Sequence, residues 1–117
     1  MRERVIRGTA SVGAEGDEGS EGEIDARGVA SRIRARVGAI RGCYERALRD
    51  HPTLAGRIEV RFTIGPEGRV NSIRPEGLPE APEVGACVAN VIRRIEFPRP
   101  TGGAVEFSFP FTFSPGG

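Results

Sequence analysis

Apolar and polar residues change their spacing four times along the chain, and each change predicts an element. From Asp25 the apolar positions fall at Val29, Ile33, Val37, Ile40, Tyr44, Ala47 and Leu48. These steps of four, four, three, four, three and one trace one stripe of a 3.6-residue helix. Asp25 suits the N-cap, and Pro52 stops the run because the residue before a proline is turned away from helix. After Gly56 the period drops to two. Ile58, Val60, Phe62 and Ile64 alternate with Arg57, Glu59, Arg61 and Thr63, which predicts a strand with one buried and one wet face.

Gly65-Pro66-Glu67-Gly68 has turn composition, and Arg69 to Arg74 predicts the returning strand of a hairpin. Val70 and Ile73 differ in parity there, which predicts a bulge near Ser72. Pro75, Gly77, Pro79 and Pro82 mark a stiff loop. A second helical stripe follows from about Glu83 to Glu96, through Val84, Cys87, Val88, Val91, Ile92 and Ile95. Pro98 and Pro100 end it. The last element is a strand from Ala104 to Phe113, with Val105, Phe107, Phe109, Phe111 and Phe113 on one face. Pro110 cannot donate to a ladder, which places this strand at a sheet edge at least locally.

The predicted order is helix, strand, strand, helix, strand. The expected fold is α+β, a two-layer sandwich with two helices packed on one face of a small antiparallel sheet. The domain is expected over residues 24–114. Residues 1–23 are expected to form an N-terminal segment outside it. Residues 4–12, RVIRGTASV, have the composition of a short strand. Residues 13–23, GAEGDEGSEGE, hold no large apolar side chain to offset ordering entropy, which predicts a flexible acidic stretch.

Composition narrows the function. The net charge of +1 excludes a strongly basic nucleic-acid binder. Every basic residue is Arg, the mark of a GC-rich coding sequence. No run of apolar residues is long enough to cross a membrane. No apolar segment near Met1 forms a signal peptide, which leaves either a cytosolic chain or a piece of a longer one.

Little in the chain points to catalysis. Only His51 accompanies Cys43 and Cys87 as a metal ligand of the zinc type, too few for a site. A thiol nucleophile using His51 as base has no third group to orient it. The GPEG turn lacks the Lys and the following helix of a phosphate loop. The arginines of the first helix interleave with Glu45 and Asp50 as on a solvated face. No enzyme activity, metal or cofactor is expected.

Cys43 lies beside the first helical stripe and Cys87 on the second, so the sulfurs can meet if both helices cover the same sheet face. A bridge there would stabilise by roughly 4 kcal/mol through loop closure. Two inert buried thiols fit the spacing as well.

The string IRGCYERALRDHPTLAGRIEVRFTIGPEGRV, with ACVANVIRRIEFPRP and VEFSFPFTF after it, resembles the AgmX/PglI-type C-terminal domains of myxobacterial gliding-motility envelope proteins, which are similar to TonB C-terminal domains. The shared features are CYE and AL at 43–48, P-x-L-x-G at 52–56, G-x-V at 68–70, a cysteine in the second helix and FPxP at 97–100. The resemblance covers Ile24 to Phe113. It implies a disulfide between Cys43 and Cys87 in an oxidising compartment. It also implies a periplasmic domain at the C-terminus of an inner-membrane-anchored protein.

Such a domain serves a trans-envelope motility or energy-transducing complex. It binds outer-membrane or other envelope partners by strand addition to its last strand, which here is Ala104, Val105, Glu106, Phe107, Ser108, Phe109, Phe111 and Thr112. The chain departs from the pattern at Pro75, which is expected to cut the second hairpin strand short. The alternative is a single-stranded nucleic-acid module similar to an RRM, if residues 4–12 add a first strand. That module needs exposed aromatics on its sheet, and Arg57, Glu59, Arg61 and Thr63 supply none.

Overall fold

The computed structural model describes residues 23–115, together with the backbone of residues 5–8. The predicted acidic stretch lies outside the described residues except for Glu23. The elements are β1 (Val5–Gly8), α1 (Ala26–Arg34), α2 (Val37–Ala47), β2 (Gly56–Ile64), β3 (Val70–Gly77), α3 (Pro82–Arg93) and β4 (Val105–Ser114). The strands form one antiparallel sheet in the order β1-β4-β2-β3. Three are long, and β1 adds four residues at one side. The helices pack against this sheet, so the fold is the expected α+β arrangement.

The core follows the two periodicities. Ile58, Val60, Phe62 and Ile64 of β2 and Val105, Phe107, Phe109, Phe111 and Phe113 of β4 are buried on one face. Val29, Ile33, Ile40, Tyr44, Val84, Val88 and Ile92 meet them from the helices. The aromatic side chains pack with each other. Tyr44 and Phe113 have ring centroids 5.0 Å apart, and Phe62 stacks on Phe97 at 5.7 Å. The Tyr44 hydroxyl donates to the Leu54 carbonyl, which ties α2 to the chain entering β2.

The single first helix of the expectation is two. Asp25 caps α1 by accepting from the Arg27 amide at 3.1 Å. At the other end the Arg36 amide donates to Ile33 O, three residues back, at 2.9 Å, and the chain leaves α register for a turn. Ile33 and Ile40, on either side of this break, are both buried, while Val37 is half-exposed. The break turns two halves of one stripe onto the core at the expense of the residue between them.

Pro75 does not end the returning strand, which corrects a second expectation. β3 runs through it to Gly77, with Pro75 opposite Val60. β3 is an edge strand, where a missing N–H faces no partner. The predicted bulge is present. Thr63 pairs with Ser72 and Ile64 with Val70, leaving Asn71 as the extra residue.

Two closures complete the domain. Cys43 and Cys87 form a disulfide with Cα atoms 5.7 Å apart, joining α2 to α3 across 44 positions of sequence. Glu23 and Thr101 exchange backbone hydrogen bonds at 2.8 Å each, which holds the start of the helical half to the segment before β4.

Candidate interaction surface

Backbone hydrogen bonding decides what the sheet can offer a partner, and the two prolines fix its phase. In an antiparallel ladder, residues opposite one another alternate between pairs that exchange both hydrogen bonds and pairs whose N–H and C=O groups point away. Proline suits only the second kind. Pro110 faces Glu59, and Pro75 faces Val60. Glu59 and Val60 are adjacent in β2 and send their backbone groups to opposite neighbours. Both prolines therefore sit in one consistent register, each turned toward an outer flank of the three long strands.

On β4 this parity turns the backbone of Glu106, Ser108, Pro110 and Thr112 away from β2. The far end of that flank is occupied. β1 pairs Gly8 with Phe111, Arg7 with Thr112, Ile6 with Phe113 and Val5 with Ser114. The stretch expected to be open, Ala104 to Thr112, is therefore shortened. Phe111 and Thr112 have strands on both sides, and Ala104 precedes the ladder. From Val105 to Pro110 the strand ladder among the described residues involves β2 alone. Glu106 in this stretch is already engaged with another part of the chain. The pairing with β1 was not readable in the sequence, because four residues at one end carry no mark of which strand they will join.

The side chains of β4 divide by face. Phe107, Phe109, Phe111 and Phe113 are buried toward the helices, as expected of a core face. On the opposite face Ser108 is 9% exposed and donates its hydroxyl proton to Glu59 Oε2 at 2.6 Å. Ser108, Glu59, Arg61 and Thr63 make this face polar. Its described residues include no aromatic side chain on β2, β3 or β4.

The disulfide lies on the helical layer, away from β4. Cys43 is buried and Cys87 half-buried. Arg46 Nη2 stands 2.9 Å from Cys87 Sγ. A shallow hollow of about 260 Å3 opens beside Cys87, walled by Arg36, Asn90, Val91 and Arg94. His51 Nε2 lies 3.8 Å from Glu83 Oε2 at the start of α3. The two cysteines thus form a covalent tie between α2 and α3. No helix among the described residues is long and apolar enough to cross a membrane. No protein-family model, curated protein or solved structure matches this chain.

Proposed function

We propose that this chain is a non-catalytic, periplasmic protein-interaction domain of a trans-envelope motility or energy-transducing complex, similar to TonB C-terminal domains. Its parent protein is anchored in the inner membrane. Its partner is a segment of an outer-membrane or other envelope protein, which adds as a strand to β4. No cofactor or nucleic acid takes part.

The observation that supports this reading most is the ladder beside Val105–Pro110, where β2 is the one described neighbour and Ser108 turns its amide and carbonyl outward. Strand addition satisfies such groups with main-chain bonds and asks little of the partner's side chains. It also suits a domain under load, because hydrogen bonds across a strand share a pull along it. The Cys43–Cys87 bridge supports an oxidising compartment, where disulfides persist. Burial of all the β4 phenylalanines favours a peptide partner over single-stranded RNA, which stacks on exposed rings.

The test is an amide-shift titration of the labelled domain with peptides from candidate envelope partners. Shifts concentrated at residues 105–110 support strand addition there. Shifts elsewhere with this stretch unmoved reject it.

A further inference from the structure

The other outer strand carries a feature that the β4 reading leaves unused. Arg61 of β2 and Arg74 of β3 are direct cross-strand partners on the polar face. Both are exposed. Like charges placed opposite one another on a sheet repel, and the arrangement is unfavourable by itself. The two arginines line a cavity of about 210 Å3 with Thr63, Ser72 and Glu106. The carboxylate that shares their cavity, Glu106, already has a partner of its own. The Ser72 hydroxyl donates to the Thr63 hydroxyl at 3.3 Å.

We propose that the outer edge of β3 receives an extended acidic peptide, one of whose carboxylates enters the cavity between Arg61 and Arg74. Three observations carry this. Among the described residues β3 pairs only with β2. The register sets the side chains. Pro75 turns outward with Ile73 and Gly77, so Arg74 turns its backbone inward to Arg61. A residue of an added strand opposite Arg74 is then in a non-hydrogen-bonded pair, the kind with the closer side chains, about 4.5 Å between Cα atoms. Its carboxylate meets Arg74 at once and has Arg61 directly behind. Last, the charge of the walls selects the guest. Two guanidiniums side by side attract a carboxylate.

The opposite face of the edge completes the description of the partner. Ile73 and Val70 are only half-buried against the core. A strand with apolar residues flanking its acidic one would cover Ile73 on the helix side while the carboxylate enters on the polar side, by the alternation of a strand. The partner is thus an alternating segment, apolar toward α3 and acidic toward Arg74. This site shares the Glu106 side chain with β4 but lies at the opposite edge strand, and it does not depend on strand addition to β4.

The experiment uses two synthetic heptapeptides of alternating valine and threonine. One has glutamate at the central polar position and the other glutamine. Each is titrated into the labelled chain at low salt, and the glutamate peptide also into the R61Q/R74Q variant. Both replaced side chains are exposed, and far-UV circular dichroism with thiol counting checks that the variant is folded. The glutamate peptide is expected to move the amides of residues 70–77 and to bind about fivefold more tightly than the glutamine peptide, a preference of the size of one exposed ion pair. That preference disappears in the variant. Equal binding of the two peptides overturns the carboxylate site. Shifts confined to residues 105–110 overturn the β3 site while supporting the β4 reading. An absence of shifts at residues 70–77 with either peptide also overturns it. Free acetate reproducing the shifts of the glutamate peptide at equal concentration overturns the peptide as the ligand.

Discussion

Gly68 and Phe97 are locked together by their backbones. The Phe97 amide donates to Gly68 O at 2.9 Å, and a Cβ on Gly68 would stand 2.3 Å from Phe97 O. Gly68 also has φ +83°, which side chains resist. The β2–β3 turn is thereby fastened to the segment leaving α3, where the Phe97 ring stacks on Phe62. Gly68→Ala should cost about 2–4 kcal/mol, from the strained φ together with a broken tertiary contact. Gly38→Ala is the matched control. Nothing lies within 4 Å of a Cβ at Gly38, in the first turn of α2, and helix propensity there should add about 0.5–1 kcal/mol. Urea unfolding of the two variants should move the midpoint in opposite directions.

The disulfide should carry a large share of the stability. Closing a loop across 44 positions stabilises by about 4 kcal/mol through the entropy of the unfolded chain. A domain of this size has roughly 5–10 kcal/mol in all. Reductant, or replacement of Cys43 and Cys87 by Ala, should lower the urea midpoint by a large fraction of its value. Denatured, unreduced protein should show no free thiol. Two free thiols in material made in an oxidising compartment would remove both the bridge and the compartment argument.

Tyr44 makes two kinds of contact that a single substitution separates. Tyr44→Phe keeps the ring against Phe113 and removes the hydroxyl that serves Leu54 O. The carbonyl, in a buried setting, loses its donor. The expected cost is about 1–2 kcal/mol, well below that of Tyr44→Ala, which also opens a cavity at about 3–5 kcal/mol. Equal losses in the two variants would show that the hydroxyl, not the ring, holds α2 to the start of β2.

The parts of the fold that were legible are those with a local period. Ile58 to Ile64 and Val105 to Phe113 announce their strands and buried faces, and the parity clash of Val70 with Ile73 announces the bulge at Asn71. Three features were not legible, each for a physical reason. The break after Arg34 comes from how Ile33 and Ile40 must both reach the core, which the helical stripe does not distinguish from one straight helix. Pro75 reads as a strand breaker until the strand is known to be outermost. The pairing of β1 with Phe111–Ser114 is a contact between the two ends of the chain, and no local pattern encodes it.

Arg74 opposite Arg61 predicts a stability gain from charge reversal. Arg74→Glu converts a repulsive cross-strand pair into an attractive one and should stabilise by about 0.5 kcal/mol at low salt. The gain should fade as salt is raised toward 1 M, where the Debye length falls to about 3 Å. Thermal melts of wild type and variant across a salt series measure it. A salt-independent gain would assign the effect to strand propensity instead of charge.

Ser108→Pro separates docking at β4 from folding. Ser108 shares its parity with Pro110, so its amide points away from β2 and is not needed by the sheet. Proline there repeats, two residues earlier, what the strand already tolerates. The fold should lose the hydroxyl bond to Glu59, worth about 1 kcal/mol, and retain its disulfide and strand content. A partner strand, in contrast, loses a donor at the centre of the stretch between Val105 and the β1 pairing, and its affinity should fall by about tenfold for one lost hydrogen bond with its carbonyl left unmet. Ser108→Ala supplies the comparison. It removes the same hydroxyl but leaves the amide in place, so it should match the proline variant in stability and the wild type in binding. If the alanine and proline variants bind an envelope peptide equally well, the backbone of β4 is not where that peptide adds.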